Sequence, residues 1–195
     1  MPASSHLQQS VMEAVERYEM PLLRYARRLL GDLDLARDAV QHAFVQLCSE
    51  SSNRLEERIA PWLFRVCRNR ALDHLRRGGR EQLLLDITAD SAVEQTLAEL
   101  DSREVDPAQA IEHRDLADRL RELMQKLPAP QRETIDLWCE GLNYRQIAEI
   151  VGREEGHVRV LAHRGFASLR KHPLIRGLLS DDVSQSETIH SFPAR

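Results

Sequence analysis

Asn143-Tyr-Arg-Gln-Ile-Ala-Glu-Ile-Val-Gly152, followed by residues 153–170, is the stretch on which the fold reading turns. It reads as a helix, a tight turn and a second helix. Asn143 can cap the first helix while Gln146, three residues on, bonds back, a variant of the capping box. Ile147, Ala148, Ile150 and Val151 recur at helical spacing, and the small Ala148 lets a second helix approach closely. Gly152 stands where a left-handed residue ends a helix, and Glu154 or Glu155 opens the next one at the positive end of its dipole. An ordinary helical hairpin packing a core carries the same punctuation, so the second helix has to decide.

At about 100° per residue, Val158, Leu161, Ala162, Gly165, Phe166 and Leu169 fall on one side of that helix, enough for a core face. His157, Val160, His163 and Arg164 fall opposite, with Arg159 and Arg170 at the flank. Residues 153–171 carry five Lys and Arg against Glu154 and Glu155. Arg and His around one small apolar residue suit a major groove, with donors for guanine or phosphate and a methyl contact for thymine. A purely solvated helix would mix Glu and Lys there.

Composition describes a soluble globular chain: of 195 residues, 42% are hydrophobic and 30% charged. No apolar run approaches the roughly 18 residues needed to span a membrane. The first ten residues lack the basic-then-apolar order of a signal peptide, so a cytoplasmic location is expected. Cys48, Cys67 and Cys139 sit far apart in apolar stretches and read as buried thiols. No CxxC spacing suggests a metal, and no cofactor is expected.

The net charge of −4 conceals a segmental pattern. Residues 54–80 hold eight Arg against Glu56, Glu57 and Asp73, and residues 81–118 hold eleven carboxylates against Arg103 and Arg114. The basic C-terminal helix follows. Basic, acidic, basic is the order of a nucleic-acid binder whose overall pI would deny it.

The organisation follows the same divisions, all of it α-helical. Leu7, Val11, Val15, Tyr18, Leu22, Ala26 and Leu29 trace a long helix with Pro21 as an expected kink. Gly31-Asp32 breaks it. Ala36, Ala39, Val40, Ala43, Phe44 and Leu47 form a second helix started by Asp32 or Asp34, and a third runs over residues 58–77. These make a first domain, residues 1–79. Residues 80–105 read as an acidic linker with a short helix near residues 93–100. Asp106-Pro107 opens a second domain, residues 106–172, of four helices. Residues 173–195 are expected to be a flexible tail.

The third helix has an unusual outer face. Around Trp62, the residues Arg65, Asn69, Asp73 and Arg76 lie within about 40–60° on either side, while Leu63, Cys67 and Ala71 point away. An indole, an amide and several guanidiniums on one face can stack on a base, bond its edge and hold phosphates, the chemistry of single-strand capture. A Trp half-buried under Arg stems would leave the same pattern.

Here the residues match a family. Residues 18–32, Asp34-Leu-Ala-Arg-Asp-Ala-Val-Gln41 with Phe44, and Pro61-Trp-Leu-Phe-Arg-Val-Cys-Arg-Asn-Arg-Ala-Leu-Asp-His-Leu-Arg-Arg77 resemble the first conserved domain of extracytoplasmic-function (ECF) sigma factors of bacterial RNA polymerase. Leu127-Pro128, Gln131-Arg132-Glu133, Glu140-Gly-Leu-Asn-Tyr144, Ile147-Ala148-Glu149-Ile150, Gly152, Val158-Arg159-Val160-Leu161 and His163-Arg164 are similar to their promoter-reading domain. The resemblance spans residues 10–171, in order. It implies that Asp34, Asp38, Gln41 and Phe44 dock on core RNA polymerase. It implies that Trp62, Arg65, Asn69, Asp73, Arg76 and Arg77 melt and trap the −10 element. By the same resemblance, Arg153, His157, Arg159, Val160, His163 and Arg164 contact the −35 element. The acidic linker would thread a channel that otherwise holds nucleic acid. The implied partners are core RNA polymerase and promoter DNA, with an anti-sigma factor as a further partner the family allows, and with no membrane insertion.

His157 stands where the family often has Thr, so the −35 bases do not carry over. Gly165-Phe166 replaces a common small-basic pair, which would remove a backbone contact. Two other readings stay open. A helix-turn-helix regulator that is not a polymerase subunit would share residues 143–170 but leave the Trp62 face unexplained. An enzyme could draw on His42, His74, His113 and His163, but no His-x-x-x-His, paired-carboxylate or phosphate-loop spacing supports it, so catalysis is not expected.

Overall fold

A computed structural model describes residues 3–50, 58–77 and 107–182, and within them every regular element is helical. In chain order they are α1 (Ala3–Leu30), α2 (Leu33–Ser49), α3 (Ile59–Arg77), α4 (Pro107–Gln125), α5 (Ala129–Cys139), α6 (Tyr144–Val151), α7 (Glu155–Arg170) and α8 (Pro173–Asp182). The expected linker and its short helix lie outside the described residues.

Local chemistry explains where the helices begin and end. Asp32 caps α2 by accepting the Leu35 amide at 2.9 Å. Asn143 and Gln146 form the full capping box of α6, at 3.0 and 2.9 Å. Gly152 ends α6 at φ 68°, the left-handed region only glycine enters without strain. Helix α1 runs through Pro21 as one element.

Helices α1–α3 pack around Leu22, Tyr25, Ala26, Ala39, Ala43, Leu63, Phe64 and Cys67, all of them buried. The Phe64 ring tilts against Tyr25 at 5.6 Å between centroids. Burial alone pushes the Cys67 thiol up to about 12. Cys48 and Cys139, expected to be buried, are exposed. Apolar neighbours in sequence say little here, because a helix sends adjacent residues to different faces.

In the second half, α5, α6 and α7 pack on one another with α4 against α5. The Gly165-Phe166 pair has a structural reason. Phe166 meets Trp138 edge-on at 5.1 Å, and a Cβ at Gly165 would lie 2.6 Å from Ile135 Cδ1. The missing methyl lets α5 and α7 close. Residues 173–182, expected to be loose, form α8, with Pro173 at its start and Leu174 and Ile175 half-buried against the fold.

The two halves share one apolar cluster, which joins Leu63, Phe64 and Cys67 to Leu137, Ile147 and Val158. A ring of ion pairs surrounds the junction. Arg24 donates to Glu140 at 2.8 Å, and Arg28 also donates to Glu140 while its Nε lies 2.9 Å from Asp136. Glu133 accepts from Tyr25 at 2.9 Å and from both Nε and Nη2 of Arg68 at 2.7 and 3.2 Å. Arg58 reaches Glu149 on α6 at 2.6 Å. The Glu140 side chain is only 3% exposed. Burial works against the Arg28 charge, but Asp136 and Glu140 overcome it and hold the guanidinium protonated. Asp136 is different: burial outweighs the pull of Arg28 and Arg132 and lifts its carboxyl to about 6. Stripping one partner from such a buried pair leaves an uncompensated charge, a penalty of about 3–5 kcal/mol.

Gly165→Ala is expected to destabilise the second domain by about 1–3 kcal/mol, because Ile135 must move to make room. Gly156→Ala, where nothing lies within 4 Å, should gain roughly 0.5–1 kcal/mol from the better helix former. Chemical denaturation of both variants checks the contrast; equal midpoints would remove the close-approach role of Gly165.

Candidate nucleic-acid interface

Helix α3 divides its circumference among three tasks. Pro61, Leu63, Phe64, Cys67, Ala71 and Leu75 are buried against α1 and α2. Arg65, Asn69, Asp73, Arg76 and Arg77 form an exposed ridge, with Trp62 half-buried at its N-terminal end. Trp62 packs partly on the core, so it is both a wall of the domain and the aromatic edge of the ridge. Asp73 is engaged along the helix by Arg76 at 3.2 Å.

The remaining polar residues of α3 face other helices. Arg68 is turned to Glu133 on α5. Arg70 and His74 converge on Asp38 of α2, at 2.9 and 2.8 Å, and their hydrogen bonds hold that carboxyl below its ordinary range. Asp38 therefore ties α2 to α3 while remaining about half exposed. Of the other residues expected to dock on a partner, Asp34 and Gln41 are exposed and Phe44 is half-buried against the core.

Val45 joins that exposed side of α2, at 60% exposure. Sequence reasoning passed over it. The signal was present: Val45 falls outside the buried stripe of Ala36, Ala39, Val40, Ala43 and Leu47, one turn beyond Gln41.

The second surface lies on α7. Val158, Ala162 and Gly165 are buried, and Arg153, His157, Arg159, Val160, His163 and Arg164 are all exposed. Its members are not equally available. Arg159 is held along the helix by Glu155 at 2.6 Å, and its guanidinium sits 5.1 Å from the Tyr144 ring centroid. Arg153 and His157 lie within 3.2 Å of each other. Arg164 has no partner among the described residues and projects from the middle of the face. An unengaged guanidinium can adopt the bidentate geometry that reads guanine.

Among the described residues no group of three His, Cys, Asp or Glu side chains is arranged to hold a metal. No described helix is long and apolar enough to cross a membrane.

Arg164→Ala is expected to change the preferred duplex sequence at one position, with a loss of about 1–3 kcal/mol on the best site. Arg159→Ala should weaken all sequences alike and flatten the salt dependence by about one unit of slope. Selection from randomised duplex DNA separates them; an unchanged motif for Arg164→Ala would move that residue to the phosphate class.

Two family models match the stretches of chain that carry these surfaces. A family model described as Sigma-70 region 2 matches residues 14–81, the stretch that contains α2 and α3, and one described as Sigma-70, region 4 matches residues 117–169, which contain α5, α6 and all but the last residue of α7. An RNA polymerase sigma-H factor from Pseudomonas aeruginosa is 28% identical over 86% of this chain and 95% of its own length. An ECF RNA polymerase sigma factor, SigW, from Bacillus subtilis is 25% identical over 84% of the chain and 89% of its own length. Another, SigE from Mycolicibacterium smegmatis, is 28% identical over 82% of the chain and 60% of its own length.

Proposed function

The chain belongs to the ECF sigma factors of RNA polymerase, which direct promoter-specific initiation, and we propose on that premise a division of labour between its two halves. The first, residues 1–79, holds core RNA polymerase through α2 and opens the −10 element with the ridge of α3. The second, residues 106–172, reads the −35 element with α7. The acidic stretch 80–105 joins them. An anti-sigma factor is a third partner in this reading, and the work on promoter DNA assigns the chain to the cytoplasm.

The observation that carries the proposal is the pair of exposed polar faces on separate helices, each backed by a buried apolar stripe of its own helix. On α3, Arg65 and Asn69 stand clear of the core beside the Trp62 ring, a suitable surface for an unstacked base and its phosphates. On α7, Val160 is 46% exposed between basic side chains, as a groove contact needs. A regulator acting without polymerase would need only the second face. On α2, Asp34, Gln41 and Val45 present an exposed strip for the polymerase, with Asp38 at its edge and Phe44 beneath.

Two outcomes follow from the roles assigned. Asn69→Ala should slow open-complex formation roughly ten- to hundredfold, the worth of about 1–3 kcal/mol in base contact, while binding to duplex −35 DNA survives. Trp62→Ala should do the same but also loosen the domain, so Trp62→Phe, which keeps a ring, is the informative companion. Wild-type permanganate reactivity at −10 in Asn69→Ala would exclude α3 as the melting element.

On α2, Gln41→Ala and Val45→Asp should weaken assembly with core polymerase about tenfold each, a loss typical of an exposed contact that matters. Asp38→Arg is a poorer probe, since it would remove the acceptor shared by Arg70 and His74, set a second guanidinium against Arg70 and strain the domain itself. Unchanged holoenzyme affinity for both Gln41→Ala and Val45→Asp would remove this strip from the polymerase contact.

A further inference from the structure

Arg159 faces a carboxylate of its own helix. Its Nε and Nη2 lie 3.1 and 2.6 Å from the same oxygen, Oε1 of Glu155. Its guanidinium also sits 5.1 Å from the centroid of the Tyr144 ring, and Tyr144 is set in place by the capping box of Asn143 and Gln146. The cation therefore rests between the first residue of α6 and the first residue of α7. Both partners of the ion pair are open to water, with side chains 56% and 39% exposed.

A guanidinium matches a carboxylate best as a fork, with two parallel N–H groups on two oxygens. Here both donors share one oxygen, and Oε2 of Glu155 takes no part in the pair. A DNA phosphodiester offers two unesterified oxygens inside a dense row of like charges, so it is the stronger acceptor. The Tyr144 ring attracts the cation as a whole and takes none of its hydrogen-bond donors. It can hold the guanidinium at the start of α6 while those donors change partner. Glu155, once released, still lies at the positive end of the α7 dipole.

We propose that Glu155 is an internal substitute for DNA phosphate: it occupies Arg159 in the free chain, gives it up to the backbone on binding, and so sets how tightly α7 holds duplex DNA but not which sequence it prefers. The proposal rests on the reading of α7 as the −35 contact. Breaking the Arg159–Glu155 pair costs the same on any sequence, because a phosphate is present on all of them. Arg164, without a partner among the described residues, bears no such cost and remains the base reader. Glu154 supplies the control. It carries the same charge at the same helix end and is exposed, but its side chain makes no capping hydrogen bond and holds no cation among the described residues.

The test measures the affinity of holoenzyme, the full chain on core polymerase, for a labelled promoter duplex below about 0.1 M salt, where exposed charges are less screened. Each variant meets two duplexes, one with the preferred −35 element and one altered there by a single base pair. Glu155→Gln should bind both about two- to fivefold more tightly, the worth of an exposed ion pair, with the ratio between them unchanged. In an Arg159→Ala background that gain should be lost, and Glu154→Gln should gain clearly less. Weaker or unaltered binding by Glu155→Gln overturns the proposal. So does a gain that persists without Arg159, which would make Glu155 a direct repeller of phosphate. An equal gain from Glu154→Gln, or an altered ratio between the duplexes, overturns it as well. In each of these cases α7 keeps its place on the −35 element provided that Arg159→Ala binds both duplexes more weakly than the parent. Parent-like binding by Arg159→Ala would instead take that guanidinium off the DNA, overturning the proposal together with the backbone role given to Arg159.

Discussion

The carboxylate of Glu140 organises the junction between the two halves of this protein. It closes α5, it is almost wholly buried, and it accepts from both Arg24 and Arg28 on α1. A carboxylate withdrawn so far from water is tolerable only with charged donors in place. Those donors fix how α1 meets α5, which sets Glu133 beside Arg68 and Tyr25 and places α6 against α3. Asp136 beside it carries the opposite lesson. Burial raises its carboxyl to about 6 in spite of Arg28, so there desolvation outweighs the pairing.

Helix α3 divides its surface among a core, partner helices and an exposed polar ridge. Its apolar side secures the first bundle, Arg70 and His74 bind Asp38, and Arg68 binds the other half. What remains, Arg65, Asn69 and Arg77 with the Asp73–Arg76 pair, is the exposed ridge beside Trp62. Because Arg58, Arg68, Arg70 and Arg76 are each engaged by a carboxylate, the basic surplus of residues 54–80 overstates the charge free to meet phosphate. Only packing reveals which arginines are spoken for.

The α5–α7 unit depends on small features at its closest approaches. Gly165 lets α7 reach α5, Gly152 turns the chain between α6 and α7, and Phe166 stacks edge-on with Trp138. The departure of Gly165-Phe166 from the family's usual pair is thus a packing solution inside the second half. The exposed face on the other side of α7 is untouched by it.

The helices, their caps and their buried stripes were legible in the sequence because each is decided within a few residues. Asp32 bonds Leu35, Asn143 bonds Gln146, and a period of 3.6 sorts Val158 and Ala162 from His157 and Arg164. The two polar faces were legible for the same reason. Cys48, Cys139 and residues 173–182 were misread where local composition stood in for a helical face. The partners of Asp38, Arg68, Glu133 and Glu140 were not legible at all. Those residues look like ordinary solvated charges in sequence, and their partners lie 32 to 116 positions away. Local hydrogen bonding determined the elements and their faces; only the tertiary structure decided which charges lose their water, because burial is a property of the assembled surfaces and not of the segment.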